Sequence, residues 1–425
     1  MNSEIKHSGI AWIGEIPNVW TVDTIGNLYT QRTEKVSDKD YPPLSVGKMG
    51  VVPQLATAAK TDDGDNRKLV KVGDFAINSR SDRRGSCGIS SYDGSVSLIN
   101  TIITPRTEMN PQYYNWLFHT ELFADEFYKW GHGIVDDLWT TRWQEMKRIA
   151  IVVPPLAEQK AIADFLDKKC EEIDELVALQ EKIIEELKSY KQSVITETVC
   201  KGLNPNAPMT DSGIDWIGEI PEVWQVVKLG LLTSKIGSGS TPSGGAEVYT
   251  DDGVKFIRSQ NVYFEGFNLT DVAHISYEID EQMKGTRVQN GDILFNITGG
   301  SIGRCCDVDA TLGEANVNQH VCIVRPTKIK TKYLKYYLQS DNGQIQVKLL
   351  QTGGNRDGLS ADAFKKFHIV LPSSIEQQEI ADYLDKKCSE IDQLISIKQQ
   401  KIVELKEYKK SLIYEYTTGK KRVEA

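Results

Sequence analysis

The sequence predicts an α+β protein: two mixed α/β domains in a pseudo-twofold repeat, joined by two long antiparallel helices that form a coiled coil. Three observations carry this. Residues 8–20, SGIAWIGEIPNVW, return at 212–224 as SGIDWIGEIPEVW. Residues 158–176, EQKAIADFLDKKCEEIDEL, return at 376–394 as EQQEIADYLDKKCSEIDQL. Between these markers the copies diverge, and the offset grows from 204 to 218 residues, so the second copy carries 14 more. The division that follows is a first domain over 1–157, a central long helix over 158–200, a second domain over 201–375 and a C-terminal long helix over 376–425.

The helices are the most legible elements. From Leu156 the chain runs without Gly or Pro as far as Gly202. Ile162, Leu166, Ile173, Leu176, Ile183, Leu187, Tyr190 and Val194 recur at three, four or seven residues, which makes one apolar stripe. Pro154-Pro155 precedes this helix and KGLNPNAP stops it. In the second copy Pro372 precedes the helix and Gly419 ends it. Its stripe is Ile380, Leu384, Ile391, Leu394, Ile402, Leu405, Tyr408 and Leu412. The pattern departs from a strict heptad, because Gln180 and Lys398 stand where leucine is expected and Leu179 and Ile397 sit beside them. A helix of ~40 residues, ~60 Å long, gains little stability alone from a bare stripe. Two similar stripes in one chain bury each other, and an antiparallel pair results if each domain folds back to place its helix along the other. The alternative is that each helix packs only on its own domain. The expected interface comprises Leu166, Ile173, Leu176, Ile183, Leu187 and Tyr190 against Leu384, Ile391, Leu394, Ile402, Leu405 and Tyr408.

The segments between read as short strands and helices. KLVKVGDFAIN (68–78) and TRVQNGDILFN (286–296) match as a β-rich run, a Gly-Asp turn and an apolar strand. SLINTIITP (97–105) and HVCIVRP (320–326) read as buried strands closed by proline. An amphipathic helix follows in each copy, at 113–130 and 333–350, and then a Gly-containing loop. MKRIAIVVP (146–154) and FKKFHIVLP (364–372) lead into the long helices. GSGSTPSGG (237–245) reads as a flexible loop, with close backbone approach to a phosphate as the second reading.

Composition limits the class. With 40% hydrophobic and 26% charged residues, the chain is an ordinary globular protein. No apolar run reaches the ~18–20 residues that span a bilayer, and the N-terminus lacks a signal-peptide pattern. No membrane association and a cytoplasmic location are therefore expected. The seven cysteines include no CxxC pair and read as small packing residues, with no metal site. The net charge of −9 is unevenly spread: residues 158–200 hold 6 Lys+Arg against 11 Asp+Glu. A basic cleft elsewhere remains compatible with nucleic acid.

No catalytic residue emerges. The sequence lacks a phosphate loop, a complete GxGxxG, an HExxH pair and a GxSxG elbow, and the six histidines are dispersed. The candidates that remain suit DNA binding: Arg80, Arg83 and Arg84 in INSRSDRRGSCG; Arg258, Gln260 and Asn261 in FIRSQNVYF; Arg304 in FNITGGSIGRCC; and Asn355 and Arg356 in TGGNRDGLS. Arginine pairs with guanine, asparagine or glutamine with adenine, and glycine lets the backbone approach phosphate. Each arginine has the alternative of being solvated or paired with a nearby acid such as Asp82 or Asp357. Trp12, Trp20, Trp216 and Trp224 recur with the repeat, and packing of the domain start suits them better than stacking on bases.

The doubled SGIxWIGEIPxxW opening, the phrase IVVPPLAEQKAIADFLDKKCEEID with its copy IVLPSSIEQQEIADYLDKKCSEID, and the junction KGLNPNAPM resemble the specificity (S) subunit of Type I restriction–modification systems. The resemblance covers nearly the whole chain. It implies two target-recognition domains, each reading one half of a bipartite site in double-stranded DNA, about one helical turn or ~34 Å apart. It also implies helices that set the spacing and dock two modification (methyltransferase) subunits, with restriction (endonuclease/translocase) subunits in the larger complex. The subunit itself would be non-catalytic and without a cofactor. S-adenosylmethionine would belong to the methyltransferase, and ATP and Mg to the restriction subunit. No base-contact residue carries over, because the reading domains diverge. A duplicated coiled-coil scaffold without sequence-specific DNA binding is the alternative from another class; a fused nuclease or methyltransferase is a third reading, which the missing motifs disfavour.

Overall fold

The computed structural model describes residues 5–54, 63–133, 139–350 and 358–423. The chain forms two compact units, one of residues 1–181 with 400–425 and the other of residues 182–399. Each long helix therefore contributes to both units: Leu156–Lys201 and Ser374–Thr417 are continuous.

In the first unit a four-stranded antiparallel sheet has the order Cys87–Ile89, Phe75–Asn78, Asn100–Pro105, Tyr29–Gln31. In the second unit the order is Cys305–Asp307, Ile293–Asn296, Val321–Pro326, Thr233–Ser238. The central strands correspond through the repeat, and their alternate residues pack under aromatic helices. Tyr113, Phe118, Phe123 and Phe127 fill the first core, and Tyr333, Tyr337 and Phe364 the second. The matching segments Ala150–Val153 and His368–Leu371 each pair with a strand from the start of their copy, Thr21–Thr24 and Gln225–Lys228.

Three expectations for the segments between the long helices are revised. The runs on either side of the Gly-Asp turns do not pair with each other as strands. Arg67–Val70 and Phe75–Asn78 belong to different sheets, and in the second copy Thr286, where the β-rich run is expected to begin, ends the 3₁₀ turn Lys284–Thr286. The turn's aspartate explains this: Asp74 accepts the Lys71 amide and the Arg32 guanidinium, at 2.9 and 2.7 Å. Asp292 likewise accepts the Gln289 amide and Arg325, at 2.8 and 2.7 Å. The turn is thus a buried charge anchor that redirects the chain between sheets. Second, each amphipathic helix is two helices. Thr120 caps Glu121–Lys129 after Pro111–Phe118, and Ser340 separates Thr331–Gln339 from Asp341–Leu350, because a side-chain oxygen at an N-cap satisfies the new orphan amides. Third, residues 237–245 are not wholly a loop. Gly237 and Ser238 pair with Ile323 and Cys322, and a Cβ on Gly239 would collide with the Val317 carbonyl.

The helices run antiparallel within each unit. In the first, Phe165 packs on Tyr416 with ring centroids 4.4 Å apart, and Asp174 meets Lys409 at 2.6 Å and Glu181 meets Lys406 at 3.8 Å. In the second, Lys191 meets Asp392 at 2.7 Å, and Ile195 and Val199 share a core with Ile380 and Leu384. Lys191–Asp392 and Lys409–Asp174 are repeat-equivalent pairs, each residue being displaced by 218 positions from its counterpart.

The seam is a strict heptad after all. Leu166, Cys170, Ile173, Val177, Gln180, Ile184, Leu187, Lys191, Val194 and Thr198 are each buried or half-buried. So are their equivalents from Leu384 to Tyr416. Gln180 and Lys398 occupy seam positions rather than interrupting them. The expected interface residues Leu176, Tyr190, Leu394 and Tyr408 lie beside it, 46–55% exposed. After Ile173 the seam steps four residues to Val177, not three to Leu176, as alternating 3-4 spacing demands. Leu179 and Ile397 are exposed too.

The repeated tryptophans lock helix to domain. Trp20 is fully buried, and its indole donates to Glu158 at 2.8 Å; Trp224 donates to Glu376 at 3.2 Å. Gln159 accepts the Asn110 amide and donates to the Pro154 carbonyl, and Gln377 repeats this with Lys330 and Pro372. The opposite helix end is held as well. The Tyr113 hydroxyl donates to the Thr417 carbonyl at 2.7 Å, and Tyr333 reaches that of Val199 at 3.0 Å. Gly419 and Gly202, both left-handed, end the helices against Trp20 and Trp224, where a Cβ would approach within 3.0 Å of either ring.

Asp292 is buried and holds Arg325 through both oxygens. Its removal leaves the guanidinium unpaired in a half-buried position, so Asp292→Ala is expected to cost about 3 kcal/mol, measured by urea unfolding of the full chain.

Candidate nucleic-acid interface

In both units the strand that follows the Gly-Asp turn ends in a buried asparagine, Asn78 or Asn296. The next loop then meets the segment entering the last short helix: Arg80 bridges Thr140, and Thr298 bridges Gly358. The two bridges fall at repeat-equivalent places, so the scaffold brings the same loops together twice. The side chains there differ.

In the second unit the cluster is polar. Thr298 Oγ1 lies 2.6 Å from His320 Nδ1, Gln319 Nε2 lies 3.1 Å from His320 Nε2, and Thr241 hydrogen-bonds Gln319. Arg304 stacks over the Tyr263 ring at 4.9 Å, while Arg258 lies over Tyr249 at 5.6 Å and donates to the Asp271 carbonyl. These contacts hold planar guanidinium groups in place. Gln260 is exposed. Asn261 is buried: its carbonyl oxygen accepts the Arg258 amide at 3.0 Å, and its NH2 donates to Asn268 at 2.9 Å. It shapes the loop and is not presented to a ligand, a correction that follows from its short polar side chain capping a 3₁₀ turn. Asn355 and Arg356 lie outside the described residues.

In the first unit Arg83 lies 3.5 Å from Asp82. Arg84 pairs with Asp125 and lies over Tyr128 at 5.8 Å. These ion pairs are exposed, and exposed pairs are worth ~0–1 kcal/mol, so both arginines can exchange partner for phosphate. Arg80 is half-buried beside Thr140. Close by, Leu98, Ile99 and Trp139 are 37–41% exposed.

Sequence reasoning missed a basic pair that the repeat itself marks. Lys147-Arg148 and Lys365-Lys366 follow the last short helix in each copy. The carbonyls of Lys147 and Lys365 accept the amides of Gly26 and Gly230, at 2.9 and 3.0 Å, and a Cβ on Gly26 would press on Lys147. Lys228, Lys365 and Lys366 line one shallow pocket of the second unit with a single acid, Asp362. Burial, with the charge of Lys228, holds the pKa of His368 below its usual value. The signal was available as two matched basic dipeptides, but it lay inside the scaffold rather than in the divergent loops.

Among the described residues no group of three or more His, Cys, Asp or Glu is placed to hold a metal, and no helix is long and apolar enough to cross a membrane. All seven cysteines are buried. Burial pushes the Cys87, Cys306 and Cys322 thiols up to about 12, where they are poor nucleophiles and metal ligands.

Fold and loops together define a duplicated protein, one frame presenting two unlike sets of side chains. Comparison with known proteins shows what the chain is similar to. The family model described as Type I restriction modification DNA specificity domain matches residues 221–407. The Type I restriction enzyme MjaVIII specificity subunit of Methanocaldococcus jannaschii is 30% identical over 285 residues, which take in 65% of this chain and 63% of that one. The putative MjaX specificity subunit of the same organism is 24% identical across 97% of this chain and 96% of its own. Among solved structures, the fold is similar to a chain from a study of complex assembly and conformational transition of the type I R-M system, with TM-score 0.73, 14% identity, and 95% and 98% of the two chains covered. It is also similar to the HsdS subunit from Thermoanaerobacter tengcongensis, with TM-score 0.55, 16% identity, and 95% and 98% covered. The chain is thus similar in sequence, over residues 221–407, to the DNA specificity domain of Type I restriction–modification systems, and in fold to chains of such systems over nearly its whole length.

Because Asn261 bonds only to backbone, Asn261→Ala is expected to lower stability by about 1–3 kcal/mol through unsatisfied buried groups. Thermal unfolding reads the loss, and the DNA sequence bound by the folded fraction stays the same.

Proposed function

We propose that each unit reads one half of a bipartite site in double-stranded DNA, and that this chain has no catalytic role. The observation that carries this reading is the bridged loop pair: the same scaffold position holds Thr298, Gln319 and His320 in one copy and Arg80, Leu98, Ile99 and Trp139 in the other. Equivalent frames with different side chains suit two different half-sites. The basic pairs Lys147-Arg148 and Lys365-Lys366, common to both copies, suit the phosphate contacts that position a reader without specifying sequence.

The paired helices separate the half-sites and dock two modification subunits. Support comes from their continuity through both units and from the exposed apolar side chains Leu176, Leu179, Leu394 and Ile397 beside the seam. S-adenosylmethionine then belongs to the modification subunits, and ATP and Mg to restriction subunits. The complex works in the cytoplasm, where its DNA lies.

The deciding experiment is methylome sequencing of a host carrying this chain with its modification subunit, followed by gel shift on the motif found. A bipartite motif bound in preference to a scrambled duplex supports the reading; equal affinity for all sequences leaves a scaffold protein. Replacing Lys365 and Lys366 by alanine is expected to reduce the slope of log K against log [salt] by about 2, at ~0.9 for each phosphate no longer neutralised, with the motif unchanged. One added heptad in each helix, after Gln180 and after Lys398, keeps the seam in register and adds ~10.5 Å. The spacer of the methylated motif is expected to grow by about three base pairs at ~3.4 Å each; an unchanged spacer overturns the ruler.

A further inference from the structure

We infer that the first unit reads thymine through its 5-methyl group, using Leu98, Ile99 and Trp139, whereas the second unit reads its half-site by hydrogen bonds. The inference deepens the proposed DNA reading and rests on it.

The three side chains stand where the protein has the least structural reason for them. Leu98 is 40% exposed, Ile99 41% and Trp139 37%. Leu98 and Ile99 precede the central strand Asn100–Pro105, whose next residues are buried. They could have been polar at no cost to the fold, as the second copy demonstrates: the equivalent pair before Val321–Pro326 is Gln319-His320. Backbone hydrogen bonds gather the group. Ser79 donates to the Ile99 carbonyl at 3.3 Å, Ser81 to that of Trp139 at 2.9 Å, and Thr141 to that of Ser79 at 2.9 Å. Two loops and a strand end are thereby stitched into one surface, which is rigid at the point where a reader must be.

The occupant follows from charge and chemistry. Leu98 and Ile99 line a shallow cleft together with Trp143, the cations Lys68 and Arg142 and five uncharged polar residues, and among the described residues no carboxylate lines it. Lys68 is held by the Asn100 carbonyl at 2.6 Å, and burial, with Lys35 nearby, lowers its pKa. Apolar side chains set beside cations fit a polyanion that displays apolar groups between its charges. In the major groove the thymine 5-methyl is the apolar mark that distinguishes one base pair from the others, and apolar side chains read it. In the second unit the matching place offers the Gln319 amide, the His320 ring and Thr298 Oγ1, groups that exchange hydrogen bonds with base edges.

The test uses the full chain with its modification subunits and duplexes carrying the bipartite motif. Deoxyuridine replaces thymine in one half at a time, on either strand, which deletes only the methyl. Substitution in one half is expected to weaken binding about fourfold for each methyl that the protein covers, the equivalent of ~0.8 kcal/mol for a buried carbon; substitution in the other half leaves Kd unchanged. A variant with Leu98→Ala and Ile99→Ala is expected to lose the deoxyuridine penalty. Site discrimination with no deoxyuridine effect in either half overturns the methyl reading while leaving the DNA-reading function intact. A penalty that persists in the variant also overturns it, since other residues then hold the methyl. Equal binding of motif and scrambled duplex removes both. The unsubstituted protein supplies the decisive arm, so the result does not depend on the variant's folding.

Discussion

The structure depends on the antiparallel register of the two long helices within each unit. A heptad seam supplies the energy, since alternate steps of three and four residues keep Leu166, Ile173, Val177 and their equivalents turned to the partner helix. Apolar seams alone permit slippage. The pairs Asp174–Lys409 and Lys191–Asp392 join the helices in the observed register. Each lysine sits in the seam and reaches an acid at its edge. Exposed pairs of this kind add ~0–1 kcal/mol.

Register in turn decides how each domain is held. The tryptophan and glutamine at the start of one helix and the tyrosine at the end of the other grip the same domain: Trp20, Gln159 and Tyr113 in one unit, Trp224, Gln377 and Tyr333 in the other. A helix end placed one turn further along would lose the carbonyl that Tyr113 or Tyr333 needs. Within each unit the central sheet is tied together by buried charge, Arg32–Asp74 or Arg325–Asp292. The arginine comes from a different place in each copy, just after the strand Tyr29–Gln31 in one and within Val321–Pro326 in the other, and Thr104 fills the position that Arg325 occupies. The two copies have reached the same anchor by different residues, which shows that the geometry of the turn, not one side chain, is what the fold requires.

A frame so constrained frees its loops. Side chains around the Arg80–Thr140 and Thr298–Gly358 bridges carry little of the core and can change without unfolding it. Specificity can therefore diverge between copies while stability remains with the repeat. The basic dipeptides beside the last short helix stay matched because phosphate is the same in every sequence.

The sequence by itself determined the duplication, the two helices and the family resemblance, because identical segments and a long unbroken period are local signals. It also placed Arg258 and Arg304 in loops, where their rings and backbone partners now hold them. Only the tertiary structure decided the seam. Leu176 is more apolar than Val177, and Gln180 has the look of an interruption, yet burial is set by angular position about the helix axis rather than by hydropathy. The same holds for the Gly-Asp turns, whose local pattern suits a hairpin but whose arginine partners lie 42 and 33 residues away. Asn261 is the remaining lesson: an amide in a loop suits a base edge or a neighbouring backbone equally well, and only the fold reveals which was closer.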